Sequence, residues 1–107
     1  MLVRYCTTAG LLSLLTHPFL HQVRALEKYR VVCIACGSRD AQTLAATENG
    51  CLWAWGDGSF GKLGKGDTTG SHTPIKVKEF NKEEIAQLEC GAQFSMMLTK
   101  DGKVYAW

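Results

Sequence analysis

The sequence predicts an all-β chain in which one antiparallel unit is used twice. Three observations carry this. Residues 42–55 and 94–107 are versions of each other at a constant offset of 52 residues. Each version contains a hairpin dipeptide, Asn49-Gly50 or Asp101-Gly102. Eleven glycines stand against two prolines, and six of those glycines fall between Gly56 and Gly70, where no helix would tolerate them.

In order along the chain, residues 1–16 are unassigned. From Met1 to Leu26 there are two arginines and no acid, with an apolar run at Ala9–Leu15. That run is too short for a membrane span, and His17-Pro18 comes after it without a small-residue cleavage site. An acid-poor transit peptide is the alternative to an irregular or helical segment that closes on the first repeat. Strands are expected at Val31–Cys36 and Ile85–Cys90, each ended by a glycine. Ala35-Cys36-Gly37 matches Glu89-Cys90-Gly91 at an offset of 54, so the first copy carries two extra residues near Ser38–Ala41. Pro18, Val23 and Leu26 loosely echo Pro74, Val77 and Phe80, which divides the chain into repeat one at 17–72 and a truncated repeat two at 73–107.

The hairpin dipeptides favour two-residue type I′ loops, which need φ > 0 at both positions. Such loops would place Leu44 opposite Trp55 and Ala46 opposite Trp53, and likewise Met96 opposite Trp107 and Leu98 opposite Tyr105. Trp53, Trp55 and Trp107 are then core residues rather than a base-stacking platform. Three strands and a glycine-rich connection per unit of about 50 residues describe a propeller blade, whose faces must be covered by neighbours. The expected architecture is a partial β-propeller of about one and two-thirds blades.

Composition limits the function. The chain has 107 residues, enough for one small domain, with 46% apolar and 21% charged residues, which is globular rather than disordered. A net charge of +2 selects neither nucleic acid nor an anionic membrane. Lys76, Lys78 and Lys82 alternate with Glu79, Glu83 and Glu84, a solvated mixed surface. The five cysteines Cys6, Cys33, Cys36, Cys51 and Cys90 have no framework spacing and read as free thiols of a reducing cytoplasm or nucleus.

The run Trp55-Gly56-Asp57-Gly58-Ser59-Phe60-Gly61-Lys62-Leu63-Gly64, taken with Ala35-Cys36-Gly37 and Asn49-Gly50, resembles the regulator-of-chromosome-condensation repeat family. Its wording is most like the propellers of HECT-and-RCC-like-domain ubiquitin ligases, and the likeness covers residues 17–107. The resemblance implies seven-bladed β-propellers whose loops bind proteins. It also implies that the ligase cysteine belongs to a separate C-terminal domain, so no enzymatic activity is expected of this chain. Two alternatives stay open. One is guanine-nucleotide exchange on a Ran-like small GTPase, the activity of the family's founding member. The other is a truncated product without function of its own.

Several motifs point elsewhere and fail on their surroundings. Gly56-x-Gly58-x-x-Gly61 lacks the helix a dinucleotide fingerprint needs. Gly56-x-x-x-x-Gly61-Lys62 continues into Leu63, which has no hydroxyl for Mg²⁺. Leu63 reads instead as a plug in the core between blades. In a strand, Cys33 and Cys36 point to opposite faces and cannot share a metal ion. Nothing nominates a cysteine partner for His72.

No cofactor, metal, catalytic residue, small-molecule substrate, nucleic acid or membrane is therefore expected. The candidate partner-binding loops are Ser38–Ala41 and Asp67–Thr73, with Arg39, Asp40, Asp67, Thr68 and His72 as candidate contacts. Open blade edges also predict self-association.

Overall fold

The computed structural model describes residues 21–39, 41–80 and 84–107. Seven strands run in order: β1 (Val31–Cys36), β2 (Gln42–Thr47), β3 (Cys51–Gly56), β4 (Ser71–Glu79), β5 (Ile85–Cys90), β6 (Ser95–Thr99) and β7 (Val104–Ala106). Two 3₁₀ turns, Arg24–Leu26 and Ser59–Gly61, accompany them. The strands form two antiparallel meanders, β1-β2-β3-β4 and β5-β6-β7. They are packed together by β5 lying on β1 and β2. This is the all-β, partial-propeller architecture that the repeat implied. The unassigned segment 1–16 lies outside the described residues.

Strands β1 and β5 coincide with the expected ones. The hairpins do not keep the expected register. Gly50 donates its N–H to the Thr47 carbonyl at 2.9 Å, and Gly102 donates to Thr99 at 3.1 Å. Gly50 and Gly102 take φ of 85° and 90°, whereas Asn49 and Asp101 are not among the positive-φ residues. Each connection is thus a type I turn closed by a left-handed glycine, a three-residue loop. One extra loop residue shifts the pairing by one position. Leu44 faces Ala54 and Ala46 faces Leu52, while Thr43 faces Trp55 and Ala45 faces Trp53. In the second sheet Met96 faces Ala106 and Leu98 faces Val104.

A one-residue shift moves side chains to the other face of the sheet, and the consequence for the core is large. Aliphatic residues now share one face and aromatic residues the other. Leu44, Ala46, Leu52 and Ala54, none more than 2% exposed, make the buried face of sheet one. With Leu63, Ile85, Leu88 and Met97 they form the core between the sheets. Leu63 fills the role expected of it. Trp107 packs against that core, but Trp53 and Trp55 stand half-buried on the opposite face. Tyr29 lies against Trp53 there, ring centroids 5.1 Å apart.

A threonine closes both hairpins. Thr47 Oγ1 donates to Asn49 Oδ1 at 2.6 Å and accepts from Trp53 Nε1 at 3.2 Å. Thr99 Oγ1 donates to Asp101 Oδ1 and accepts from the Lys103 N–H at 2.9 Å. This explains why threonine recurs at the same place in the repeat.

Strand β4 has no counterpart in the sequence reading. Pro74 and the mixed charges gave this stretch the look of a loop and solvated surface. Proline is tolerated because β4 is an edge strand, and the pairing slips between Ala54 and Gly56 near it. His72, expected in a loop, is therefore an exposed residue of a strand. Strand β4 spans the expected boundary between the repeats at 72/73 and hydrogen-bonds into sheet one.

The Gly102 turn isolates the effect of φ, since an added Cβ there would meet nothing within 4 Å. Gly102→Ala is expected to lower unfolding free energy by about 1–2 kcal/mol. Gly102→Asn should cost less, because asparagine tolerates the left-handed region. Urea titrations with an unchanged slope check both.

Candidate functional site: a clasped joint beneath an exposed rim

The connections β1–β2, β3–β4 and β5–β6 lie at one end of the two sheets. Backbone contacts hold them together. The Asp57 N–H donates to the Ala41 carbonyl at 3.0 Å. A Cβ on Gly58 would fall 2.0 Å from the Thr69 carbonyl, so only glycine permits that approach. The glycine-rich run is thus a folded connection.

Beneath this rim three fully buried polar side chains join the sheets. Gln42, Lys62 and Ser95 are all 0% exposed. Gln42 Nε2 donates to the carbonyls of Phe94 (2.8 Å) and Gly91 (3.2 Å) and to Ser95 Oγ (3.2 Å). Ser95 Oγ donates to the Lys62 carbonyl at 2.7 Å. Lys62 Nζ forms an ion pair with Asp57 at 2.7 Å and donates to the Ala92 carbonyl (3.1 Å) and Gln93 Oε1 (3.2 Å).

Gln42 opens β2, Lys62 lies in the β3–β4 connection and Ser95 opens β6, so the network fixes where the second sheet sits on the first. A buried ammonium is tolerable only when its donors are used and a countercharge is near; both conditions hold. Burial alone would raise the Asp57 carboxyl. Hydrogen bonds from Lys62 and from the Ser59 hydroxyl and N–H, with the Lys62 charge, outweigh it and hold Asp57 below the usual carboxylate range.

The residues expected to bind partners are distributed over the rim and its flank. Arg39 is exposed, with a φ of 60°. Asp40 lies outside the described residues. Asp67 pairs with Lys65 at 3.1 Å and accepts from the Thr69 N–H and hydroxyl. Lys65 first, then Thr69, holds its carboxyl low. Thr68 and His72 are exposed. The loop hydrogen bonds gather Arg39 and Asp67–Thr69 toward one end of the molecule, while His72 lies in the neighbouring strand.

Sequence reasoning missed the clasp and two aromatics. Phe60 is 75% exposed with a φ of 61°, and Phe94 is 50% exposed. A bulky aromatic set between glycines in Gly58-Ser59-Phe60-Gly61 was the available signal for the first.

The cysteines offer no reactive centre among the described residues. Burial raises the Cys33 thiol. Burial foremost, then the Glu89 charge, pushes Cys90 up to about 12. Neither is a thiolate at neutral pH. Cys33, Cys51 and Cys90 are free, whereas Cys36 is disulfide-bonded, which corrects its reading as a free thiol. Cys6 lies outside the described residues.

Two antiparallel meanders that stack face on face and put the β1–β2, β3–β4 and β5–β6 connections on one rim have the arrangement of a β-propeller segment. Residues 49–98 match the family model of the regulator of chromosome condensation (RCC1) repeat.

Among relatives, human E3 ubiquitin-protein ligase HERC2 is 51% identical over 85 residues, 79% of this chain and 2% of that protein. The ultraviolet-B receptor UVR8 of Arabidopsis thaliana is 38% identical over 85 residues, again 79% of this chain, and 19% of the receptor. The chain thus spans a small part of either. Human WBSCR16 matches in structure with a TM-score of 0.62 at 25% identity, over 78% of this chain and 21% of that one. Yeast RCC1 (Prp20), solved bound to Kap60, matches with a TM-score of 0.61 at 17% identity, over 76% and 20%.

Lys62→Met would leave the Ala92 carbonyl, Gln93 and Asp57 without their donor; a loss of about 2–4 kcal/mol in urea unfolding is expected. The depressed Asp57 carboxyl stabilises the fold fully above its ordinary value near 3.9 and loses that contribution as pH falls through its lower folded value. Asp57→Asn should therefore flatten the acid limb of a thermal-midpoint profile below about pH 4.

Proposed function

We propose that this chain is a non-catalytic protein-interaction module that binds partners through its rim. The observation that carries this reading is the contrast between rim and support. Arg39, Phe60, Asp67, Thr68 and Phe94 are exposed on connections whose backbones are held by hydrogen bonds and by the buried Lys62 clasp. Rigid scaffolds presenting exposed aromatic and charged loop residues are how binding surfaces are usually built. Yeast RCC1, a neighbour in fold, was solved in complex with Kap60. The likeness to HERC2 supports a role in presenting partners to ubiquitin ligation, with transfer chemistry residing elsewhere.

The test is affinity capture from cell extract with three proteins: the wild type, a Phe60→Ser/Arg39→Glu rim variant, and a Thr43→Lys variant altered on the far face of sheet one. Proteins held by the wild type and by Thr43→Lys should fall at least about fivefold with the rim variant, the effect of losing one aromatic anchor and one charge. Equal capture by all three would remove the rim from the reading. Acceleration of nucleotide release from a Ran-like GTPase by micromolar protein would replace it with exchange activity.

A further inference from the structure

The segment Thr73-Pro74-Ile75-Lys76 carries a hydroxyl that the fold does not use. Of the nine threonines and five serines in the chain, Thr73 alone precedes a proline. The repeat does not account for it. Pro18, which Pro74 echoes, follows His17, so the repeat keeps its proline and asks for no hydroxyl before it. Packing does not account for it either, since Thr73 is exposed and its backbone makes the bonds that hold it. Its carbonyl accepts from the Ser71 hydroxyl at 2.7 Å, and its N–H donates to the same oxygen at 3.4 Å. Strand β4 is the edge of sheet one and is bulged here. Ile75 stands opposite Ala54 and Ser71 opposite Gly56, so residues 72–74 share Trp55, two more than a regular ladder places there. Thr73 thus has no pairing partner on β3. Pro74 has no N–H to give a ladder and holds the residue before it extended. The result is an extended, unpaired, exposed threonine at a sheet edge, on the far side of sheet one from the β1 and β2 strands on which β5 lies.

We infer that Thr73 is a phosphorylation site of a proline-directed protein kinase. Such an enzyme accepts, directly after the acceptor hydroxyl, a residue that offers no N–H, and Pro74 is that residue. Lys76, exposed three residues after Thr73, supplies the base that one class of these kinases also reads. Its ion pair with Glu79 is open to solvent and gives way at little cost. In the reaction Thr73 Oγ attacks the γ-phosphorus of Mg²⁺-ATP, and the bond from that phosphorus to the β–γ bridging oxygen breaks. ADP leaves, and the hydroxyl proton passes to the catalytic aspartate of the kinase. The product places about two negative charges at neutral pH on the edge of sheet one, close to where the β3–β4 connection ends. This concerns β4 and stands whether or not the rim binds a partner.

The test uses the full chain, Mg²⁺-ATP and a purified cyclin-dependent kinase, with the phosphate located by peptide mass spectrometry. The wild type should take up one phosphate, on Thr73, and Thr73→Val should take up none. Pro74→Ala should slow uptake at least about tenfold, the effect of spoiling one specificity pocket. Lys76→Ala should slow it about threefold, the worth of one exposed ion pair. Presentation by the fold is read separately, with a synthetic peptide of residues 68–80 as the unfolded reference. The folded chain should be modified within about tenfold of the peptide's rate, because only the edge pairing at Ile75 and Lys76 has to open. A wild type that takes up no phosphate or takes it up on another residue would overturn the inference. So would Pro74→Ala or Lys76→Ala modified at the wild-type rate, or a folded chain modified more than about tenfold slower than the peptide. Near-ultraviolet circular dichroism confirms that the variants are folded, and Pro74→Val replaces Pro74→Ala if the latter melts early.

Discussion

A buried lysine decides how the two sheets meet. Apolar faces slide; hydrophobic burial rewards area and is indifferent to small displacements or rotations. Lys62 is not indifferent. Its ammonium must reach Asp57, the Ala92 carbonyl and Gln93 together, and each lies within 3.2 Å. Displacing sheet two would strand a charge that has no water to turn to, at a cost of several kcal/mol. Gln42, reaching three acceptors on and beside the β5–β6 connection, adds a second fixed point. The Gly-Lys-Leu-Gly segment therefore does two jobs with adjacent residues. Lys62 sets position through directional bonds, and Leu63, at 0% exposure, adds burial to the same joint.

The path of the chain between the sheets complements the clasp. Strand β4 spans the expected boundary between the repeats and closes the first sheet. The chain crosses from β4 to β5 only after it has closed sheet one, and Phe80, at the start of that crossing, donates its N–H to the Gly50 carbonyl and meets Tyr105 of sheet two. The segment that closes sheet one is thus also the segment that starts the contact with sheet two.

What was legible in the sequence was whatever the repeat states twice. The hairpins, β1 and β5 and the strand class all come from alternation and turn chemistry, and the place of Leu63 from the glycine-rich run around it. Register was misread because Asn-Gly and Asp-Gly fit a two-residue turn as well as a three-residue loop, and the choice depends on the φ of Asn49 and Asp101, which the dipeptides leave open. Thr47 and Thr99 held the clue: a hydroxyl that caps the loop favours the longer form. Strand β4 was hidden by Pro74 and by alternating charge, both of which mark an edge as readily as a loop. Lys62 and Gln42 were hidden for another reason. Their roles appear once in the chain, and a single occurrence has no pattern to stand out from. Of the rim candidates, Arg39 and Asp67 came from loop placement, whereas Phe60 needed the left-handed turn around it to be seen.

Repeated faces and unrepeated clasps divide affinity from order. Because the aliphatic face recurs, any blade could dock on any other by shape alone, and a long array would have many wrong arrangements available. The clasp breaks that degeneracy. At the position 52 residues after Gln42 stands Phe94, which has no amide to offer. The glutamine is thus a feature of the joint between the two sheets and not of the repeat. Directional hydrogen bonds supply specificity where apolar contact supplies attraction. The internal joint is fixed by Gln42 and Lys62, whose bonds are directional, so the chain's own two sheets stay locked in one arrangement.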